Sequence, residues 1–271
     1  MSTVARMGDA QLGLPAEVRQ SQAAAFVAAH GFVRVRDLAE RFGVSDVTMR
    51  ADLDQLERRG ELRRVHGGAM SGHSARVERT FEEQANLLSE EKAEIGRLAA
   101  ALVAPGESII VDVGTTTTAL ARALVARIDL ADVTVITNGL TIALELERGG
   151  PSLNVVVTGG TLRPKQHSLV NPMGSHFFDK LRATRVFLGC NGIDPVGGVT
   201  NINLPEAEMK RAMVAAAREV VVLADGSKLG EVALASVCPI DQVDVLVTDR
   251  TANPEIVAEL RSRGVDVVVA G

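Results

Sequence analysis

Tyrosine and tryptophan are absent from this 271-residue chain, which contains only seven phenylalanines. Proteins that bind single-stranded nucleic acid usually stack bases on aromatic side chains, so this composition argues against that class. Cysteine is also scarce. Cys190 and Cys238 stand far apart, so they form neither a CxxC redox pair nor a zinc-ligand pattern. We expect two buried free thiols rather than a redox switch.

Long apolar runs are also missing, although 46% of the residues are hydrophobic. No run approaches the length that spans a bilayer, and the opening residues MSTVARMGDAQLGLP lack the apolar core of a secretory signal. These absences predict a cytoplasmic protein with no membrane partner. The apolar content is ample for the core of a folded chain.

The formal net charge of −5 is unevenly distributed. Residues 1–79 contain 12 arginines and no lysine against 10 acidic residues, whereas the remainder contains 17 basic and 24 acidic residues. Arginine is the side chain best suited to bidentate contact with phosphate and guanine. The first part is therefore the candidate for DNA binding, although an arginine-rich genome would produce the same bias.

Residues 15–70 show the pattern of a winged helix-turn-helix after a tail of 14 residues without periodicity. Ser45 follows a Gly-Val turn and is a typical N-cap for the third helix, whose inward stripe is Met49, Leu53 and Leu56. A His-Gly-Gly turn then separates two strand-like pieces, as in a wing hairpin. The predicted elements are helices over Pro15–His30, Val35–Phe42 and Ser45–Arg59, and strands over Glu61–Val65 and Ala69–Met70.

In a helix-turn-helix, the N-terminal residues of the second helix of the motif contact base edges and phosphates in the major groove. Hydroxyl and guanidinium groups stand at these positions here, and more arginine stands on the predicted wing. A surface helical hairpin with solvated arginines is the alternative. The candidate DNA-binding residues are Ser45, Asp46, Thr48, Arg50, Arg63, Arg64 and His66.

After a polar linker at residues 71–90, strand-like apolar runs alternate with helical stretches through residues 91–271. Near-continuous Val/Ile/Leu strands between helices predict an α/β fold whose mostly parallel sheet is covered on both faces. The predicted strands are Ser108–Val113, Val133–Thr137, Leu153–Thr158, Val186–Leu188, Val220–Leu223, Val243–Val247 and Val265–Val269. The predicted helices include Ala119–Arg127, Thr141–Arg148, Glu206–Ala217 and Pro254–Arg263.

Polar residues follow several of these strands, and ligands of open parallel sheets bind beyond the carboxyl ends of strands. The four threonines that open one helix exceed the number needed for a cap, and the helix start favours an anion. Lys228 supplies a cation for a phosphate. Turn formation and space filling are the alternatives for each motif. The candidate effector-binding residues are Asp112, Gly114, Thr115, Thr116, Thr117, Thr118, Thr137, Asn138, Gly159, Gly160, Gly192, Asp194, Asp225, Ser227 and Lys228.

Glu206 and Lys210 are four positions apart, and this spacing predicts an ion pair on a helix surface. An isomerase or deaminase needs a positioned acid and base, and the residues after Asp194 (Pro-Val-Gly-Gly) include no histidine that could relay a proton. We therefore predict no catalytic residues, no metal site and no cofactor. A vestigial or second enzymatic function remains the alternative.

The pattern VSxxTxRxDLxxLExxGxLxRxHGGA in residues 44–69 closely resembles the N-terminal domain of the DeoR family of bacterial repressors. Members usually have two adjacent arginines before the Asp-Leu pair, where this chain has Arg50-Ala51-Asp52. The DxGTTT, TNG, GG, NGID and DGSK motifs resemble the family's effector domain, so the resemblance covers residues 17–270.

The resemblance implies a repressor of a sugar or polyol catabolic operon, controlled by a phosphorylated sugar. It also implies that the C-terminal fold is related to ribose-5-phosphate isomerase and glucosamine-6-phosphate deaminase. One reading helix covers too few base pairs for a unique site, so we expect a homo-oligomer on double-stranded operator DNA, with half-sites about 10 base pairs or a multiple of that apart.

Overall fold

The computed structural model describes residues 15–30, 32–59, 61–65, 67–71, 78–170 and 173–271. The chain divides into two units, residues 1–76 and residues 77–271. The tail predicted for residues 1–14 lies outside the described residues.

Three helices and a small antiparallel sheet make up the described part of the N-terminal unit. Its elements are α1 (Ala16–His30), β1 (Phe32–Arg34), α2 (Val35–Phe42), α3 (Asp46–Arg58), β2 (Leu62–Val65) and β3 (Gly68–Ser71). The strand order is β1-β3-β2, so the predicted wing hairpin gains a third strand that the sequence analysis missed. Leu38, Met49, Leu53 and Leu56 are fully buried where the helices meet, which confirms the inward stripe.

The C-terminal unit begins with a short helix and alternates strands with helices. Its elements are α4 (Phe81–Ala85), α5 (Ser89–Ala101), β4 (Ser108–Val111), α6 (Thr115–Val125), β5 (Val133–Thr137), α7 (Leu140–Glu147), β6 (Leu153–Val157), β7 (Thr161–Arg163), β8 (Ser168–Val170), α8 (Met173–Phe178), β9 (Ala183–Gly189), β10 (Gly192–Asp194), β11 (Gly198–Asn201), α9 (Leu204–Ala215), β12 (Ala217–Leu223), β13 (Ala235–Cys238), β14 (Val245–Asp249), α10 (Pro254–Ser262) and β15 (Asp266–Ala270). Helix α5 lies where the sequence analysis named no helix.

A seven-stranded sheet in the order β15-β14-β12-β9-β4-β5-β6 forms the centre of this unit, and its neighbouring strands pair in parallel. The prediction of a mostly parallel sheet is confirmed. Strands β4, β5 and β6 follow one another outward, whereas β9 returns to the other side of β4. The direction of winding therefore reverses between β4 and β9.

Helices cover both faces of the sheet because successive buried residues of each strand point to opposite sides. Ile109 packs in one core with α5, α6 and α7. Ile110 packs in the other core with α8, α9 and α10. A small antiparallel sheet, β10-β11-β13, completes the second core, and β7 and β8 form a separate hairpin. No helix in the described part of the chain is long and apolar enough to cross a membrane.

Candidate functional site

The turn between α2 and α3 has the geometry that the sequence predicts. Gly43 adopts a left-handed conformation with φ of 64° and ends α2, a conformation that glycine adopts without steric cost. The Ser45 side chain accepts a hydrogen bond from the backbone N–H of Thr48 at 3.2 Å, and the two hydroxyls lie 2.9 Å apart. The N-cap prediction is confirmed.

Helix α3 presents an exposed face beside its buried stripe. Asp46, Arg50 and Ala51 are exposed and Thr48 is half-buried. Val47 is 75% exposed, a large apolar side chain left in solvent at the start of the helix. A guanidinium, an apolar side chain and hydroxyls therefore share one accessible surface, which suits contact with a DNA groove.

Asp52 holds α3 to α1, a role that the sequence analysis did not find. The buried carboxylate accepts hydrogen bonds from Arg19 Nε at 2.6 Å and from Gln20 Nε2 at 2.8 Å. The signal was present in the spacing, because Asp52 falls three residues after Met49 on the inward stripe. Asp52, two residues after Arg50, therefore fixes the helix that presents Arg50.

The wing strands lie against α3. The backbone N–H of Arg64 donates to Glu57 at 2.7 Å, and its guanidinium pairs with Asp54, so Arg64 braces the wing against the helix. The side chain of Arg63 and the whole of His66 lie outside the described residues.

The carboxyl ends of β12, β9, β4, β5 and β6 bring most of the predicted effector residues to one edge of the sheet. Asp112 follows β4, and Gly189 ends β9, at the point where the winding reverses. Ligands of open α/β sheets bind at such a reversal. We call this edge the crevice and define it by Asp112, Gly114, Gly189 and Lys210.

A buried ion pair occupies the floor of the crevice. Lys210 of α9 pairs with Asp112 Oδ2 and donates to the carbonyl oxygen of Gly189 at 2.9 Å, while the N–H of Gly189 donates to Asp112 at 3.0 Å. Burial raises the pKa of the Asp112 carboxyl, and the charge of Lys210 opposes that effect. Asp112 Oδ1 is buried without a hydrogen-bond partner among the described residues, which is unusual for a carboxylate oxygen and calls for an explanation.

The predicted pair between Glu206 and Lys210 is wrong. Both side chains are buried, and they bond in different directions. Glu206 accepts from Ser168 Oγ at 2.7 Å and pairs with Arg163, whereas Lys210 enters the crevice. Spacing along one helix predicts only local partners, and here better partners come from distant strand ends.

The threonine run opens α6, as predicted, but two of its hydroxyls bond within the loop. Thr117 Oγ1 and Thr118 Oγ1 donate to the carbonyl oxygen of Gly114 at 3.0 and 2.7 Å. Gly114 itself has φ of 149°, a conformation that favours glycine. Thr115 and Thr116 are the first two residues of α6, and the backbone N–H groups at such a helix start favour an anion.

Several other predicted residues hold loops together. Asn138 accepts from the N–H of Val113 at 3.1 Å, and Thr137 accepts from the N–H of Gly139 at 3.0 Å. Asp194 and Asp225 accept hydrogen bonds from backbone N–H groups of their own turns, including that of Ser227.

The predicted glycines differ in the space around them. A Cβ atom on Gly160 would lie 2.4 Å from the Val170 carbonyl oxygen, and one on Gly192 would lie 2.1 Å from the Glu231 carbonyl oxygen, whereas Gly159 has open space.

Two further lysines lie beside the crevice. Lys228 is half-buried on the turn after β12. Lys92 of α5, which the sequence analysis missed, is buried and donates to the carbonyl oxygens of Gln84 and Leu87 at 2.7 and 2.6 Å. Burial lowers the pKa of Lys92, and the charges of Asp225 and Lys228 also act on it. Positive charge near the crevice is therefore carried by Lys92 on α5, Lys210 on α9 and Lys228 on the turn after β12.

Both cysteines are free thiols, as expected, but only Cys238, at the end of β13, is buried, whereas Cys190, which follows Gly189, is half-buried. Burial raises the pKa of Cys190 to about 12 and that of Cys238 to about 11. Neither thiol ionises near neutral pH, so neither is a nucleophile there. Among the residues that the structure describes, no cluster of His, Cys, Asp and Glu could hold a metal ion.

Two family models match the chain, one for each unit. The DeoR-like helix-turn-helix domain matches residues 19–75, and the DeoR C terminal sensor domain matches residues 88–250. The HTH-type transcriptional regulator GlpR of Haloferax volcanii is 36% identical over 86% of this chain and 90% of its own length. The glycerol-3-phosphate regulon repressor of Escherichia coli is 31% identical over 81% of this chain and 85% of its own length.

Solved structures are more distant. The sorbitol operon regulator SorC from Klebsiella pneumoniae covers 90% of this chain and 98% of its own, with 13% identity and a TM-score of 0.41. Ribose 5 phosphate isomerase A from Neisseria gonorrhoeae covers 54% of each chain, with 15% identity and a TM-score of 0.38. Values this low transfer no activity from either protein to this chain.

Proposed function

This chain belongs to the DeoR family of helix-turn-helix transcriptional regulators, and we propose that it represses a sugar or polyol catabolic operon in response to a phosphorylated sugar. The N-terminal unit binds operator DNA through α3 and the wing. The C-terminal unit binds the effector in the crevice. The observation that supports the effector site best is the buried Asp112–Lys210 pair with its free acceptor Oδ1, at the reversal of the sheet.

The groups around the crevice suit both halves of a sugar phosphate. The start of α6 and the ammonium of Lys228 attract a phosphate, because backbone N–H groups and the helix dipole favour an anion there. Asp112 Oδ1 accepts a hydrogen bond from a sugar or polyol hydroxyl. A phosphate group and hydroxyl groups in one small molecule would therefore each meet a complementary group.

Binding without turnover is the part of the proposal that separates a sensor from an isomerase. Asp112 is ion-paired, and the two histidines of the C-terminal unit are engaged away from it. His167 contacts Thr141 and Glu82, and His176 contacts Asp179. A proton-transfer reaction needs a free base within hydrogen-bond reach of the substrate. These contacts favour sensing.

Selection of bound duplexes from a random pool tests the DNA-binding half of the proposal. We expect one enriched site with two half-sites, separated by about 10 base pairs or a multiple of that, because the bound species is a homo-oligomer. Recovery of no enriched sequence at moderate salt, or of a single isolated half-site, would contradict this.

Arg50→Ala is expected to weaken binding to the selected duplex by roughly 1–3 kcal/mol, because it removes a guanidinium from the exposed face of α3. Arg50→Lys is the matched control. A lysine retains a phosphate contact but cannot make bidentate bonds to guanine, so it separates the two roles. Fluorescence anisotropy at fixed salt measures both variants, and unchanged affinity in Arg50→Ala would remove Arg50 from the interface.

Lys228→Ala is expected to abolish the response to sugar phosphate while operator affinity without ligand stays unchanged. The variant loses one cation of the phosphate subsite and leaves the N-terminal unit intact. Calorimetric titration with glycerol 3-phosphate, ribose 5-phosphate and glucosamine 6-phosphate measures binding, with exposed Lys180→Ala as the control. Normal binding by Lys228→Ala would place the phosphate elsewhere, and conversion of a sugar phosphate by the wild type would favour the enzyme alternative.

A further inference from the structure

Arg163, at the end of β7, bridges two carboxylates from distant parts of the C-terminal unit. Its Nη2 donates to Glu78 Oε2 at 2.7 Å, and its Nη1 pairs with Glu206. The side chains of Arg163, Glu78 and Glu206 are only 17%, 19% and 8% exposed. The bridge is therefore shielded from solvent, unlike exposed ion pairs, which contribute little. Burial opposes the charge of Arg163, but the two carboxylates raise its pKa further above the usual value.

One end of the bridge is rigidly attached to the crevice. Glu206 also accepts from Ser168 Oγ at 2.7 Å and Asn201 Nδ2 at 3.3 Å, which fixes its carboxylate at the start of α9. Lys210 stands one turn further along the same helix and pairs with Asp112. A ligand that bonds to Asp112 Oδ1 bonds to the carboxylate that holds Lys210, and Glu206 lies on the same helix as Lys210.

The other end of the bridge belongs to residues 78–85, with which the described part of the C-terminal unit begins. The N–H of Phe81 donates to the carbonyl oxygen of Lys165 at 2.9 Å, and Gln166 Nε2 donates to that of Arg79 at 2.7 Å. The rings of Phe81 and His167 stack with centroids 5.0 Å apart. Residues 78–85 therefore rest on the β7–β8 hairpin that carries Arg163. We call them the strap.

We propose that Arg163 is a positioning residue that couples the crevice to the strap, through Glu206 and α9 on one side and Glu78 on the other. The inference rests on the proposed function, since it assigns the route by which sugar phosphate changes operator affinity. A ligand changes operator affinity only if it binds two states of the chain unequally. In this proposal the two states differ in how Arg163 divides its hydrogen bonds between the carboxylates of Glu78 and Glu206. Linkage makes the effect reciprocal, so operator DNA also changes the affinity for sugar phosphate.

Three substitutions distinguish a loss of coupling from a failure to fold. Arg163→Lys retains the charge, but one ammonium cannot reproduce a fork that reaches two carboxylates. Glu78→Gln removes the charge at the strap and leaves the Arg163–Glu206 pair in place. Arg263→Gln, in an exposed pair with Glu259 on α10, is the control. Calorimetry with glycerol 3-phosphate, ribose 5-phosphate and glucosamine 6-phosphate, together with anisotropy on the selected duplex, measures each variant.

For the probe that binds wild type, we expect Arg163→Lys and Glu78→Gln to bind it within about threefold of wild type and to stay folded at the temperature of the assay, although both unfold at a lower temperature than wild type because the bridge is shielded from solvent. Both should lose the change in operator affinity, which is typically about 5–150-fold in such systems. The double variant should lose no more than either single variant, because both remove the same bridge. A full wild-type response in either single variant would overturn the proposal, as would lost binding of the probe in Glu78→Gln.

Amide hydrogen exchange gives a readout that needs no ligand. We expect the Phe81 amide to exchange roughly fivefold faster in Glu78→Gln and in Arg163→Lys, the equivalent of one net hydrogen bond, and not in Arg263→Gln. If none of the three sugar phosphates binds wild type, the proposed effector class fails. In that case the exchange rate of the Phe81 amide still tests the bridge, and an unchanged rate in both variants would overturn the proposal for Arg163.

Discussion

Replacing Lys210 by Met is expected to lower the free energy of unfolding by about 3–5 kcal/mol, because it leaves the Asp112 carboxylate buried without its cation. The remaining described partner is the N–H of Gly189 at 3.0 Å. Guanidinium denaturation followed by circular dichroism measures the loss, since the chain has no tryptophan or tyrosine to report by fluorescence. Lys180→Met, at an exposed position, should change stability by less than about 0.5 kcal/mol.

The loss in Lys210→Met should depend on pH. Burial already raises the pKa of Asp112 in the folded chain above its usual value, and removal of Lys210 removes the group that opposes this rise. A carboxyl with a raised pKa in the folded state stabilises the fold below its unfolded pKa, and this contribution is lost as the pH rises through the folded pKa. The deficit should therefore be largest near neutral pH and smaller in acid.

Adding Asp112→Asn to Lys210→Met should recover part of the loss, because no charge then remains buried in the pair. A deficit below about 1 kcal/mol in the single variant, with no dependence on pH, would show that solvent reaches the pair. In that case the side chains of Asp112 and Lys210 would be hydrated rather than buried.

Asp52→Ala is expected to destabilise the N-terminal unit by about 3–5 kcal/mol, because Arg19 and Gln20 lose the buried carboxylate that ties α1 to α3. Operator binding should fall with it, since the tie supports the helix that presents Arg50. Calorimetric scanning of the full chain should show an earlier transition for the N-terminal unit alone. Glu40→Ala is the control, because its pair with Arg36 is exposed on both sides and contributes little.

A normal melting profile in Asp52→Ala, with weakened operator binding, would instead place Asp52 in the DNA interface. The melting profile is measured without DNA, so it distinguishes a loss of stability from a loss of contact with the operator. Folding of the variant at low temperature, checked by circular dichroism, keeps the binding measurement interpretable.

The sequence predicted those parts of the fold that depend on local pattern. The Ser45 cap, the Met49–Leu53–Leu56 stripe and the parallel sheet are each set by spacing or by apolar runs within a short window. The missed strand β1 has only three residues, and its pairing with β3 across α2 and α3 is invisible to a local pattern. In the small sheet β10-β11-β13, β10 has only three residues, and β13 pairs with β11 from a distant part of the chain (Asn201 with Ala235).

The strand-end motifs predicted that Asp112 and the polar residues after the other strands share one edge of the sheet, because carboxyl ends of parallel strands meet there. That this edge binds the effector stays a prediction. The partner of Asp112 was missed, because Lys210 lies on a helix far along the chain and its four-residue spacing to Glu206 indicated a surface pair. A signal existed: Lys210 falls three residues before buried Met213, so the helical period places it on the inward side.

The reversal of the sheet between β4 and β9 also sets the order in which the chain acquires its structure during synthesis. The N-terminal unit closes its farthest described pairing, Phe32 with Met70, within its own short span. The sheet instead pairs Ile110 with Val186, so β4, β5 and β6 leave the ribosome before the strand that completes their centre. Pairings of such high contact order form slowly and leave apolar strands exposed in the interval. Each new chain is therefore expected to fold its DNA-binding unit before the crevice that regulates it exists.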